Sequence, residues 1–170
     1  MDCVKVALEY LLEEKPDVVL SGINNGYNAG YDIAYSGTLG AAFEARMLGV
    51  PAIAFSNAHG ASWELPEAHL TQLLRELTAL LPPKHAVWNV NFPGCGIAAC
   101  RGIRRDRLVA PAPLFREWFR EEEQEGVRPL TLPGVQLGPG EPVPPGSDFE
   151  ALLEGYISVG IAECSVMSHT

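Results

Sequence analysis

Several signatures that would settle a function early are missing from this 170-residue chain. No apolar run approaches the roughly 20 residues needed to cross a bilayer. No basic, apolar, small-residue leader opens the sequence, so a soluble, cytoplasmic protein is expected. Positive charge is scarce: 12 Lys and Arg stand against 21 Asp and Glu, a net charge of -9. That balance argues against a surface for polymeric nucleic acid, which needs clustered cations. The one basic cluster, Arg101 to Arg107, is interrupted by Asp106. A small anion is not excluded, because backbone amides and a metal ion can make a locally positive pocket on an acidic protein.

Cysteine is limited to positions 3, 95, 100 and 164, without a Cys-x-x-Cys pair or a finger-like repeat. Neither a structural zinc site nor a disulfide framework is implied, and reduced thiols are expected. His59, His69, His85 and His169 are scattered, with no His-Glu-x-x-His spacing. His59, His69 and His85 read as surface or packing residues, and Trp63 and Trp88 as core or interface. No Gly-Lys-Ser/Thr follows the glycine loop, whose glycines stand four apart rather than at the dinucleotide-binding spacing.

What is present is a globular composition, 47% hydrophobic and 19% charged, in a chain long enough for one cored domain. Val4, Ala7, Leu8, Leu11 and Leu12 recur at helical spacing after a potential cap at Asp2, and Pro16 ends that helix. Asp17 to Leu20 reads as a buried strand. A second helix starts near Ser36 or Thr38 and ends before Gly49 and Pro51. Ala52 to Ser56 and Ala86 to Phe92 read as strands flanking a helix from Leu65 to Leu81. Alternation of this kind predicts an α/β protein with a parallel sheet and helical crossovers.

After Pro93 the composition changes. Residues 94 to 146, rich in Gly, Pro and charge, read as an excursion, either a hairpin or an oligomer-forming arm. A short amphipathic helix carrying Phe115, Trp118 and Phe119 is expected within it. Ser147-Asp148 opens a last helix, and Tyr156 to Val159 forms a returning strand. The domain thus consists of a core at 2–93 and 147–162 with an arm at 94–146.

Chemistry concentrates between the first strand and the second helix, in Ser21-Gly-Ile-Asn24-Asn-Gly26-Tyr-Asn28-Ala-Gly30 and Tyr35-Ser36-Gly37-Thr38. A strand-to-helix loop in such a fold lies at the carboxyl edge of the sheet, where ligands bind. Gly22, Gly26 and Gly30 open backbone conformations closed to other residues. Asn24 and Asn28 offer amide oxygens suited to a hard cation such as magnesium or manganese. Ser36, Gly37 and Thr38 would place hydroxyls and amides at a helix start, a site for phosphate. Each piece also serves ordinary turns and caps; the residues alone define a ligand loop and no more.

Taken together, these motifs closely resemble the SurE family, the survival-protein phosphatases also described as 5′/3′-nucleotidases. The likeness extends through Gly49-Val-Pro-Ala-Ile-Ala-Phe-Ser56, Asn89-Val-Asn91-Phe-Pro93, Ser147-Asp148-Phe149 and Gly155-Tyr-Ile-Ser158. It implies a Rossmann-like α/β core and a divalent metal ion, Mg or Mn. The implied activity is that of a phosphoric monoester hydrolase, a 5′-nucleotidase or acid phosphatase acting on nucleoside monophosphates. By the same resemblance Asn24 is a metal ligand. Ser36, Gly37 and Thr38 lie beside the phosphate, and Asn28 is a substrate contact or loop support. The arm resembles the region through which family members associate, so a homodimer or homotetramer is expected.

The resemblance also implies a preceding strand with two adjacent aspartates and a loop with a serine ligand. Asp2, Asp17, Asp32, Asp106 and Asp148 include no adjacent pair, and one amide oxygen holds a divalent cation weakly. The expectation is a SurE-type chain cut short at both ends and lacking the first strand, with part of the metal site missing. The alternatives are a non-catalytic nucleotide- or anion-binding remnant and an incomplete gene product.

Overall fold

A computed structural model describes residues 1–112, 120–121, 130–131 and 143–164. The chain opens with α1 (Asp2–Val6), which runs on into a wider π-helical turn at Ala7–Leu11. Strand β1 (Val19–Asn25) leads through a 3-10 turn (Gly30–Tyr35) into α2 (Gly37–Met47). Then follow β2 (Ala52–Asn57), α3 (Glu64–Ala79), β3 (Ala86–Phe92) and β4 (Ile103–Arg107). A two-stranded pair, β5 (Arg120–Glu121) and β6 (Leu130–Thr131), stands apart from the main sheet. Helix α4 (Asp148–Leu153) and β7 (Ile157–Glu163) complete the described fold. The helix expected around Phe115, Trp118 and Phe119 falls outside the described residues.

The five-stranded sheet has the order β1-β2-β3-β7-β4, so β1 and β4 are its edges. β1, β2 and β3 are parallel, as the helical crossovers require. The expectation of a parallel sheet fails at one pairing, because β7 runs antiparallel to β3 and parallel to β4. The reason lies in the connections. β3 ends at Phe92 on the carboxyl edge, and β4 begins only a short loop later, too soon for a crossover helix. Helix α4 sits at that same edge, so β7, starting right after it, also runs back. Ile103–Arg107, in the segment read as an excursion, therefore belongs to the sheet.

Side chains on β2 and β3 alternate between two cores, as the period of a strand dictates. Ala52, Ala54 and Val87 pack with Leu8 of the π-helical turn and with Leu39, Ala42 and Ala45 of α2. Ile53, Phe55, Val90 and Phe92 pack on the other face against Leu65, Leu73 and Leu77 of α3. Ser56, Asn89 and Asn91 continue the first set in register toward the carboxyl edge, where all three are buried. The sheet face beneath α2 is thus apolar at one end and amide-lined at the other. A smaller cluster of Ala29, Ala110, Phe149 and Leu152 closes that end of the molecule.

Candidate functional site

The loop leaving β1 begins with a distortion of the strand. Register with β2 shifts between Ser21 and Asn24, around Gly22 at φ +113. A Cβ at Gly22 would collide with the Phe55 carbonyl. Only glycine lets the two backbones come this close. Asn24 and Asn25 still pair with Ser56 and Asn57, so the bulge delivers them at the carboxyl end of the strand.

Asn24 is half-buried, and its Nδ2 donates to the Gly26 carbonyl at 2.8 Å. That bond fixes the amide and leaves Oδ1 with no partner among the described residues. Asn25 ties this loop to the next one: its Oδ1 accepts from the Gly60 amide at 3.0 Å. The His59 Nδ1 lies 3.4 Å from the Asn25 carbonyl, so the imidazole stands on the rim of the loop. Tyr27 accepts at its hydroxyl from the Gly94 amide, at 2.9 Å, and burial pushes its pKa up.

Asn28 is only 4% exposed, and the amide-lined sheet face engages both its backbone and its side chain. Its backbone N–H donates to Asn91 Oδ1 at 2.8 Å. Its carbonyl accepts from Asn89 Nδ2 at 2.9 Å and Asn91 Nδ2 at 3.0 Å. Its side-chain Nδ2 donates to Ser56 Oγ. Burying so many amides is tolerable only because they satisfy one another. The structure therefore brings Asn28, Ser56, Asn89 and Asn91 together as one network.

Two residues on, Gly30 adopts φ +57, and a Cβ there would strike both the Ala112 carbonyl and the Phe149 ring. At Gly22 and Gly30 it is the protein's own chain, rather than a ligand, that crowds the glycine. Gly30 N–H donates to Asp148 Oδ2 at 3.0 Å, and Tyr31 N–H to the Ala112 carbonyl at 2.9 Å. The 3-10 turn that follows, with Asp32 buried in it, hands the chain to α2.

Ser36 is the N-cap of α2, its Oγ accepting from the Leu39 amide at 3.0 Å. The Gly40 amide bonds the Ser36 carbonyl at 2.9 Å. Of the first four amides of the helix, this leaves those of Gly37 and Thr38 without partners among the described hydrogen bonds. Gly37 is exposed, and a Cβ there would meet nothing within 4 Å. Two free amides, the positive end of an 11-residue helix and open space above them suit an anion.

The donor set for a cation is thinner. Among the described residues, no three His, Cys, Asp or Glu side chains gather to hold a metal ion. A hard divalent cation takes about six oxygen ligands, and the Asn24 amide oxygen is one. The described residues alone do not fit a complete metal site.

The asparagine-bearing, strand-to-helix loop of this α/β protein lies at the carboxyl edge of the sheet, where such folds bind ligands. Comparison with known proteins makes this specific. The family described as Survival protein SurE matches residues 1–111. The 5'-nucleotidase SurE of Pseudomonas aeruginosa (strain LESB58) is 40% identical over 167 residues, covering 93% of this chain and 63% of that protein. The 5'-nucleotidase SurE of Brucella suis biovar 1 (strain 1330) is 34% identical over 176 residues, covering 99% of this chain and 68% of that protein. A crystal structure of the SurE protein from Aquifex aeolicus superposes with TM-score 0.74 at 31% identity, covering 95% of this chain and 65% of that one. The chain belongs to the SurE family. It spans 63% of the length of the Pseudomonas relative.

Proposed function

We propose that the protein hydrolyses phosphomonoesters, with nucleoside monophosphates as substrates and Mg or Mn as the divalent cofactor. The observation that carries the reading is the presence, on one loop, of an Asn24 Oδ1 without a partner among the described residues and of the open helix start at Ser36-Gly37-Thr38. That the similar Pseudomonas and Brucella proteins are called 5'-nucleotidases supports it.

In this reading the Gly37 and Thr38 amides and the Thr38 hydroxyl receive the phosphoryl oxygens. They stabilise the charge that grows there as the ester bond breaks. Ser36 keeps the helix start in shape by capping it, and Asn24 would contribute one oxygen to a cation. A bound cation would supply Lewis-acid polarisation of the phosphate and a more acidic water, and ligands beyond Asn24 would be needed to hold it. Asn28 supports the loop from below, its backbone and side-chain NH2 being committed to Ser56, Asn89 and Asn91.

The test is release of inorganic phosphate from nucleoside monophosphates by the purified chain, with and without manganese or magnesium. Metal-stimulated release that Asn24→Ala abolishes is the expected result. No release above a protein-free blank would overturn the enzymatic reading. If the nucleotide nonetheless raised the melting temperature, a binding module would take its place.

A further inference from the structure

Helix α4 begins with a carboxylate that the proposed chemistry does not use. Asp148 is 3% exposed, and no cation pairs with it among the described residues. Its charge is met by backbone N–H groups from separate parts of the chain. Oδ2 accepts from Gly30 at 3.0 Å, while Oδ1 accepts from Ala110 at 2.9 Å and Phe149 at 2.8 Å. Burial pushes the Asp148 carboxyl above its usual range, and these amide bonds oppose that shift. Its own N–H is anchored to the Leu108 carbonyl at 2.8 Å, and Ser147 caps the helix beside it by accepting from Glu150.

The partners make this more than a local cap. Gly30 opens the 3-10 turn that ends at Tyr35, one residue before the Ser36 cap. Tyr31 is held in parallel by Ala112, the neighbour-but-one of Ala110. Asp148 and Ala112 are therefore two struts fixing the start of the turn, and α2 with its open amides fixes the end. Asn28, two residues before Gly30, is already locked from the sheet side. Gly30 is thus one tie on the segment that presents Ser36, Gly37 and Thr38, and its release would loosen that segment.

We propose that Asp148 is a positioning residue for the candidate site, its buried carboxylate setting the Gly30–Tyr35 turn and so the placement of the phosphate-receiving helix start. The inference rests on the proposed function for what the turn serves, though not for the tie itself. The chemistry demands an aspartate. Both oxygens act as acceptors, and an asparagine would turn an NH2 group toward one of the amides that Asp148 now serves.

Asp148→Asn is close to isosteric, and Asp148→Ala removes every tie. Amide hydrogen exchange by mass spectrometry, on the chain as it stands, reads the tie directly. The expected result for Asp148→Asn is exchange at least tenfold faster in peptides covering 30–38, with β2 and β3 as protected as in the parent. Unchanged exchange at 30–38, or an equal rise throughout, would overturn the proposal; the second outcome would mark a purely structural residue. With AMP and manganese, the variant should show KM raised at least tenfold, or, without turnover, a tenfold weaker AMP affinity. An unchanged ligand response despite a loosened turn would likewise refute the positioning role. If the parent chain itself ignores AMP, the phosphomonoesterase reading fails, while the exchange comparison still decides whether Asp148 sets the turn.

Discussion

Replacing Gly30 by alanine tests how tightly the loop is held by the protein around it. Gly30 lies at φ +57, a left-handed conformation that costs an L-residue about 1–2 kcal/mol. Its new Cβ would also overlap the Ala112 carbonyl and the Phe149 ring. Neither can move freely: Ala112 O accepts the Tyr31 amide at 2.9 Å, and Phe149 is 6% exposed. Overpacking of this kind costs about 1–3 kcal/mol more. The sum is roughly 2–5 kcal/mol, or about 5–15 °C in melting temperature for a chain of this size. Urea unfolding followed by circular dichroism would measure it, with Gly96→Ala as control. Gly96 has φ -68, and a methyl added there would meet nothing within 4 Å, so that change should be neutral or slightly stabilising. A Gly30→Ala loss below about 1 kcal/mol would refute both the strain and the crowding.

Two further outcomes follow from the same reasoning. Asn91→Ala removes both bonds that Asn91 makes to the Asn28 backbone. It orphans a buried N–H and should cost about 2–4 kcal/mol, read by the same unfolding curves; a cost within error of zero would contradict the network. The Arg105 guanidinium, hydrogen-bonded to both Glu76 oxygens, holds the Glu76 carboxyl below the ordinary 4.5. Its contribution to stability is therefore present above pH 4.5 and lost as pH falls through the lowered folded value. Because the pair is partly exposed, Arg105→Gln should cost no more than about 1 kcal/mol at pH 7 and almost nothing well below that window. An equal cost at both pH values would contradict the pairing.

Much of the framework is legible because burial leaves a period in the sequence. Ala52–Asn57 and Ala86–Phe92 are buried along nearly their whole length and read as apolar runs ended by turn residues. Ser36 and Thr38 both read as caps by type and position, and the structure gives that role to Ser36. β1 runs five residues past Leu20, through Ser-Gly-Ile-Asn-Asn, a stretch with poor strand propensity that pairing with β2 overrides. β4 is hidden for a related reason. Ile-Arg-Arg-Asp-Arg has no apolar alternation, and its edge position is supported by charge. Arg104 lies 4.0 Å over the Tyr156 ring and bonds Glu154, while Arg105 reaches Glu76 on α3.

The candidate site divides in the same way. Asn24 and Ser36-Gly37-Thr38 lie on one strand-to-helix connection and can be found by inspection. Asn28 stands on that connection too, but its partners Ser56, Asn89 and Asn91 lie 28 to 63 residues away. The signal for them is polar residues placed on the inward face of otherwise buried strands. Asp148 is further still: the amides it binds at Gly30 and Ala110 lie 118 and 38 residues away and carry no side-chain signature.

The binding loop can be tested without requiring turnover. Backbone amide shifts of the 15N-labelled chain, followed during titration with a nucleoside monophosphate and manganese-free magnesium, locate the phosphate directly. The largest changes should fall on Gly37 and Thr38, with Asn24 responding when magnesium is added. Saturable changes centred elsewhere, or none at these amides up to millimolar nucleotide, would contradict the assignment of this loop as the phosphate site.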